Sequence, residues 1–167
     1  MNYYRHRMKM YTINMIKVIV TDFSRVLLFP VDESYKGGLN ALNNQLLGAN
    51  SDYDFKKHFR INKELLEYYA SLDLPIYIFT SETIQEHPAI KDDLRDIFSG
   101  VLSAKNLKIR KTDKNAYIVI AHRLNVQPFE ILYIDDKPSN VQAATIAGCA
   151  TILYTSNSDL VDKIKYE

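Results

Sequence analysis

The chain has 167 residues, the size of one domain of roughly 100–200 residues. Hydrophobic residues make up 47% and charged residues 25%, a globular balance that excludes bulk disorder. With 21 Lys and Arg against 20 Asp and Glu the net charge is +1, so a general polyanion binder is not expected; the single cysteine, Cys149, excludes an intrachain disulfide framework and a Cys-rich zinc site.

The first seventeen residues hold Arg5, Arg7, Lys9 and Lys17 without an acid. A secretory signal would continue into a long apolar segment, but Asp22 interrupts the run that starts at Val18. Residues 1–14 therefore read as a flexible basic tail, or as an upstream extension of a chain whose start is Met15. No apolar run reaches the roughly 20 residues that a bilayer requires, so the expectation is a cytoplasmic domain with neither membrane nor nucleic-acid partners.

Residues 16–22 (IKVIVTD) form a short β-branched run ending in an acid, the pattern of a strand buried on both faces of a parallel sheet. Residues 75–80 (PIYIFT), 131–135 (ILYID) and 149–154 (CATILY) look the same, and 100–103 is a weaker case. Helical patterns lie between them. Asn62 caps a run with Leu65, Leu66, Tyr69 and Leu72 on one face; residues 87–98 carry Ile90, Leu94 and Ile97; residues 112–124 place Ala116, Ile120 and Leu124 in register. Residues 138–147 open with Pro138 and close at Gly148, the expected order for a helix start and stop. This alternation predicts an α/β fold: a doubly wound, three-layer parallel sheet over residues 15–167. Residues 31–58 fit it less well. With Gly37, Gly38 and four asparagines, they read as an insertion with one short helix over residues 39–47, above the carboxyl edge of the sheet.

In doubly wound sheets the site lies beyond the carboxyl ends of the strands. There the sequence puts Asp22, Thr80 with Ser81, and Asp135 with Asp136. Converging carboxylates point to a hard divalent cation, most simply Mg²⁺, because like charges at close range cannot all ionise without a counter-cation. A threonine hydroxyl and a nearby lysine would add donors for a phosphoryl group, and an ionised aspartate can itself act as nucleophile.

Together these segments resemble the haloacid dehalogenase (HAD) superfamily over nearly everything after Met15. VIVTDFSRVLLF is similar to its first motif, IYIFTS to its second, and the stretch from Lys111 through ILYIDDKPSNVQAATIAG to its closing motifs. The resemblance implies Asp22 as nucleophile, Thr80 as the hydroxyl that holds the phosphoryl group, and Lys111 as the charge-neutralising lysine. Ser81 and Ser24 become substrate-binding hydroxyls. The implied Mg²⁺ site uses Asp22, the Ser24 carbonyl and Asp136, with Asp135 either a further ligand or a supporting partner. Lys105, Lys108 and Lys114 are neighbours that could replace Lys111.

The chain departs from the family where most phosphatases carry a second aspartate, because Ser24 stands there. A serine hydroxyl cannot supply the proton that such an acid delivers, a contribution typically worth about 10²–10⁴-fold. Two readings follow: a weakened hydrolase of phosphate esters or acyl phosphates, or an inactive module binding a phosphorylated ligand or protein. A receiver-type phosphoacceptor is a remote third, argued against by the helix-opening DDKPSN. An insertion limited to residues 31–58 is too small for a large closing cap, so the site should be open to a phosphorylated small molecule or macromolecule. His58, His87 and His122 match no metal spacing, Cys149 reads as a small buried hydrophobe, and Tyr68, Tyr69 and Tyr117 as core.

Overall fold

The computed structural model describes residues 15–165; the basic tail expected over residues 1–14 lies outside them. Five strands form a wholly parallel sheet in the order β5-β4-β1-β6-β7. They are β1 (Val18–Thr21), β4 (Ile76–Thr80), β5 (Gly100–Ser103), β6 (Ile131–Asp135) and β7 (Ala150–Leu153). Strand β1 lies at the centre and is buried along its whole length. Its side chains alternate: Ile19 enters one apolar cluster, Val18 and Val20 the other. In β6, Leu132 and Ile134 join the first cluster and Ile131 and Tyr133 the second. Two cores on opposite faces of one sheet make the three layers that continuous apolar strands require.

Helices α3 (Lys63–Ala70), α4 (Pro88–Leu94) and α8 (Asn157–Lys165) cover the first face through Leu65, Tyr69, Ile90 and Leu160. The second face is covered by α5 (Ala104–Leu107), α6 (Lys114–Leu124) and α7 (Pro138–Ala147), through Ala104, Tyr117, Ile120 and Ala144. Local chemistry sets their ends. Asp113 caps α6 by accepting from the Asn115 amide at 2.9 Å, and Gly148 closes α7 at φ 98°. The helix expected over 87–98 stops at Leu94, because Asp96 turns left-handed at φ 66° and returns Ile97 and Phe98 to the core as loop residues.

A separate antiparallel pair, β2 (Leu28–Pro30) with β3 (Phe59–Ile61), brackets residues 31–58. These contain α1 (Leu39–Ala49) and α2 (Phe55–His58), and Leu39 and Phe55 are buried in the same cluster as Leu28, Leu65 and Tyr69. Beyond β3, Asn62 caps α3 and exchanges hydrogen bonds with Asn157 at the start of α8 (2.8 and 3.0 Å). No helix among the described residues is long and apolar enough to cross a membrane.

Candidate active site

The switch point of the sheet lies between β1 and its two neighbours, and the strand register brings the polar ends together there. Thr21 pairs with Ile78 on one side and Ile134 on the other, so Asp22 comes level with Phe79 and Asp135. The Asp22 amide fixes this by donating to the Ile134 carbonyl at 2.7 Å. Thr80, fully buried, is one residue further along β4. Ser81 follows it at the surface, where its carbonyl accepts from the Lys105 amide at 3.2 Å.

Lys111 sits in the turn before α6. Lys105, Lys108 and Lys114 are exposed, whereas Lys111 is buried, with its ammonium 2.5 Å from Asp22 Oδ1, 3.2 Å from Asp135 Oδ2 and 5.0 Å from the centre of the Phe79 ring. Tyr117, on α6, donates its hydroxyl to the Lys111 carbonyl at 2.7 Å and anchors the turn from below.

Asp135 and Asp136 differ sharply although they are adjacent. Asp135 is wholly buried and its oxygens are filled by the Lys137 amide (2.8 Å), the Tyr133 hydroxyl (2.5 Å), Lys111 and the Asn140 amide group (3.1 and 3.0 Å). Asp136 Oδ1 is buried without a hydrogen-bond partner. Carboxylate oxygens of Asp22, Asp135 and Asp136 lie within 4.8 Å of one another. Three acids against one ammonium, with an orphaned oxygen on Asp136, is a donor set that fits a divalent cation. The Ser24 hydroxyl is also buried without a partner. Tyr133, Tyr117, Asn140 and Phe79 complete the site, and sequence reasoning had assigned none of them a part in it. Tyr133 could have been found: it lies two residues before Asp135 and hence on the same face of β6.

Burial pushes the Asp22 carboxyl up to about 7, with Lys111 opposing and Asp135 adding to the rise. Burial also raises Asp136, reinforced by the negative Asp135. For Lys111 burial alone would favour loss of the proton, but the two carboxylates outweigh it and raise the pKa. The lysine therefore stays charged, while Asp22 is held short of full ionisation near neutral pH. Any cation or bound group that lowers the cost of its charge raises the fraction of Asp22 that is ionised.

A family model described as haloacid dehalogenase-like hydrolase matches residues 17–148. The chain belongs to the haloacid dehalogenase-like hydrolases. Among curated relatives of this HAD protein, enolase-phosphatase E1 of Lachancea thermotolerans is 26% identical over 114 residues, covering 62% of this chain and 52% of that protein. Flavin mononucleotide hydrolase 1 of Arabidopsis thaliana is 28% identical over 106 residues, covering 60% and 41%. The HAD chain thus spans about half the length of the curated relatives it matches. A HAD family enzyme of Bacteroides thetaiotaomicron, solved in complex with magnesium and inorganic phosphate, superposes with a TM-score of 0.64 at 13% identity. That likeness covers 87% of this chain and 98% of that one and concerns the fold.

Proposed function

We propose that this chain is a Mg²⁺-dependent HAD hydrolase of phosphate esters or acyl phosphates, with Asp22 as nucleophile. The observation that carries this is the cluster of the Asp22, Asp135 and Asp136 carboxylates, the first two paired with the buried Lys111 ammonium and the third with Oδ1 left without a partner. The matched relatives named as phosphatases and as a flavin mononucleotide hydrolase support the reaction class. Asp22 attacks phosphorus, the bond to the leaving oxygen breaks with its electron pair, and water then cleaves the aspartyl phosphate to release inorganic phosphate. Thr80 and Lys111 hold the phosphoryl oxygens, Ser81 lies at the exposed rim, and Phe79 and Asp135 keep the Lys111 ammonium aimed at Asp22. A bound Mg²⁺, held by Asp22, Asp136 and the Ser24 carbonyl, would neutralise phosphoryl charge. Asp135 is better suited to orienting Lys111 than to ligation, since its oxygens are already occupied.

Ser24 stands where the acid that protonates a departing alkoxide would be, and a serine hydroxyl is too weak an acid for that task. Leaving groups that depart without a proton should therefore be preferred. The test is a panel of acyl, aryl and alkyl phosphates with and without Mg²⁺. We expect Mg²⁺-dependent turnover of acyl and aryl phosphates and almost none of alkyl phosphates. Asp22→Asn should abolish all of it, and Ser24→Asp should raise alkyl phosphate turnover by up to about 10²-fold. Efficient wild-type hydrolysis of an alkyl phosphate would overturn the assignment of Ser24. The unpartnered Ser24 hydroxyl also favours a second reading, a binding module for a phosphorylated ligand. Phosphate binding with no turnover on any substrate would decide for it.

A further inference from the structure

The two Asp135 oxygens are contested by several donors. The Asn140 amide group spans both, at 3.1 Å from Oδ1 and 3.0 Å from Oδ2. The Lys137 amide takes Oδ1 at 2.8 Å, and the Tyr133 hydroxyl takes Oδ2 at 2.5 Å. Lys111 is the most distant partner, its ammonium 3.2 Å from Asp135 Oδ2 against 2.5 Å from Asp22 Oδ1. The lysine thus stands between two buried carboxylates and leans to Asp22, away from the one that the tyrosine already fills.

Packing alone does not call for that hydroxyl. The Tyr133 side chain is fully buried in the apolar cluster with Val18, Val20 and Phe79, and its ring meets Tyr117 edge-on at 4.8 Å. Phenylalanine would fill the same space without burying an oxygen, a polar group that costs free energy unless it is paired. Without the hydroxyl, the wholly buried Asp135 would lose the closest donor to Oδ2. The Lys137 donor is fixed in the backbone and the Asn140 amide already spans both oxygens, so neither can replace it. Lys111 can, because an ammonium carries three donors on a flexible stem. Every step it takes toward Asp135 draws it off Asp22.

We propose that Tyr133 is a positioning residue: its hydroxyl keeps the Lys111 ammonium on Asp22 by occupying the Asp135 oxygen that the lysine would otherwise take. The lysine is then held where the phosphoryl group arrives instead of being spent on a second carboxylate. The part of this inference that concerns the ligand rests on the phosphate-binding reading of the site. The lean of Lys111 does not.

The experiment compares the wild-type chain with Tyr133→Phe, which removes one oxygen and keeps the ring. Calorimetry gives the Kd of Mg²⁺ alone, then the Kd of inorganic phosphate at saturating Mg²⁺. Tyr133→Phe should raise the phosphate Kd at least about fivefold, because the ammonium is drawn away. The Mg²⁺ Kd should stay within about twofold or fall, because Asp22 loses a competing cation. A crystal structure of the metal-free variant should show Lys111 nearer to Asp135 than to Asp22, the reverse of the wild-type order. An ammonium still nearer to Asp22 would overturn the proposal. A phosphate Kd unchanged despite a shifted lysine would overturn its link to the ligand. A rise in both constants would show a site that has merely loosened, and a variant that does not fold would show a hydroxyl that holds the fold; either result overturns the positioning role. Failure of the wild type to bind phosphate would overturn the phosphate reading instead, and the crystal structure would then decide the lean of Lys111 by itself.

Discussion

Asp22 is ion-paired to Lys111 and yet has its carboxyl raised to about 7, because burial costs it more than the lysine returns. A folded-state pKa above the unfolded value means that the native protein binds the extra proton between about pH 4 and 7. Stability contributed through this group therefore falls as pH rises across that window, by at most about 1.4 kcal/mol per pH unit. Asp22→Asn removes the dependence and leaves Lys111 paired with Asp135. Metal-free Asp22→Asn should melt higher than wild type at pH 8, with the gap shrinking toward pH 4, at about 2–4 °C per kcal/mol for a chain of this size. Thermal melts at the two pH values check it, and a gap that widens on acidification would refute the buried-charge account. Asp22, Thr80, Asp135 and Asp136 could be named from the sequence because strand ends converge in a parallel sheet, and Lys111, which lies in the turn before α6, only through the family resemblance. Their supports are harder to read, although the spacing of Tyr133 from Asp135 is one signal. Tyr133, Tyr117 and Phe79 are large side chains in apolar segments and read as core, which they also are; only the direction of their hydroxyls and rings gives them a second task.

The five sheet strands were legible because each is an apolar run flanked by polar breaks, and residues 131–135 and 138–147 match β6 and α7 end for end. Strands β2 and β3 and helix α8 were missed. Strands β2 and β3 are three residues each, too short to alternate, and exist through pairing with one another. Helix α8 is polar over most of its surface and holds by Leu160 and Ile164. It also depends on Asn62, which spans 95 residues to reach Asn157 while capping α3 and donating to the Val26 carbonyl at 2.9 Å. Asn62→Ala should lose a helix cap, the Val26 carbonyl and the Asn157 side chain at once, about 2–3 kcal/mol, with a lower urea midpoint as the measurement. A loss no larger than that of an exposed cap would mean the Asn157 contact adds nothing.

Across the whole molecule, the charge at the switch point is unbalanced by design of the sheet: three strand-end carboxylates face one buried ammonium. A cation that binds only the folded chain should raise its melting temperature, with about 2.7 kcal/mol at a hundredfold excess over Kd. Asp136→Asn should abolish the Mg²⁺ shift, and equal shifts in mutant and wild type would remove Asp136 from the site. The order of the sheet has a further, kinetic consequence. Among the described strands β1 is made first, but Val18 pairs with Ile131, so more than a hundred residues must be synthesised before its second flank is covered. At roughly 5–20 residues per second, β1 waits about 6–23 s for that second flank. Slower synthesis therefore lengthens the time for which the β6 edge of β1 stays open to other strands.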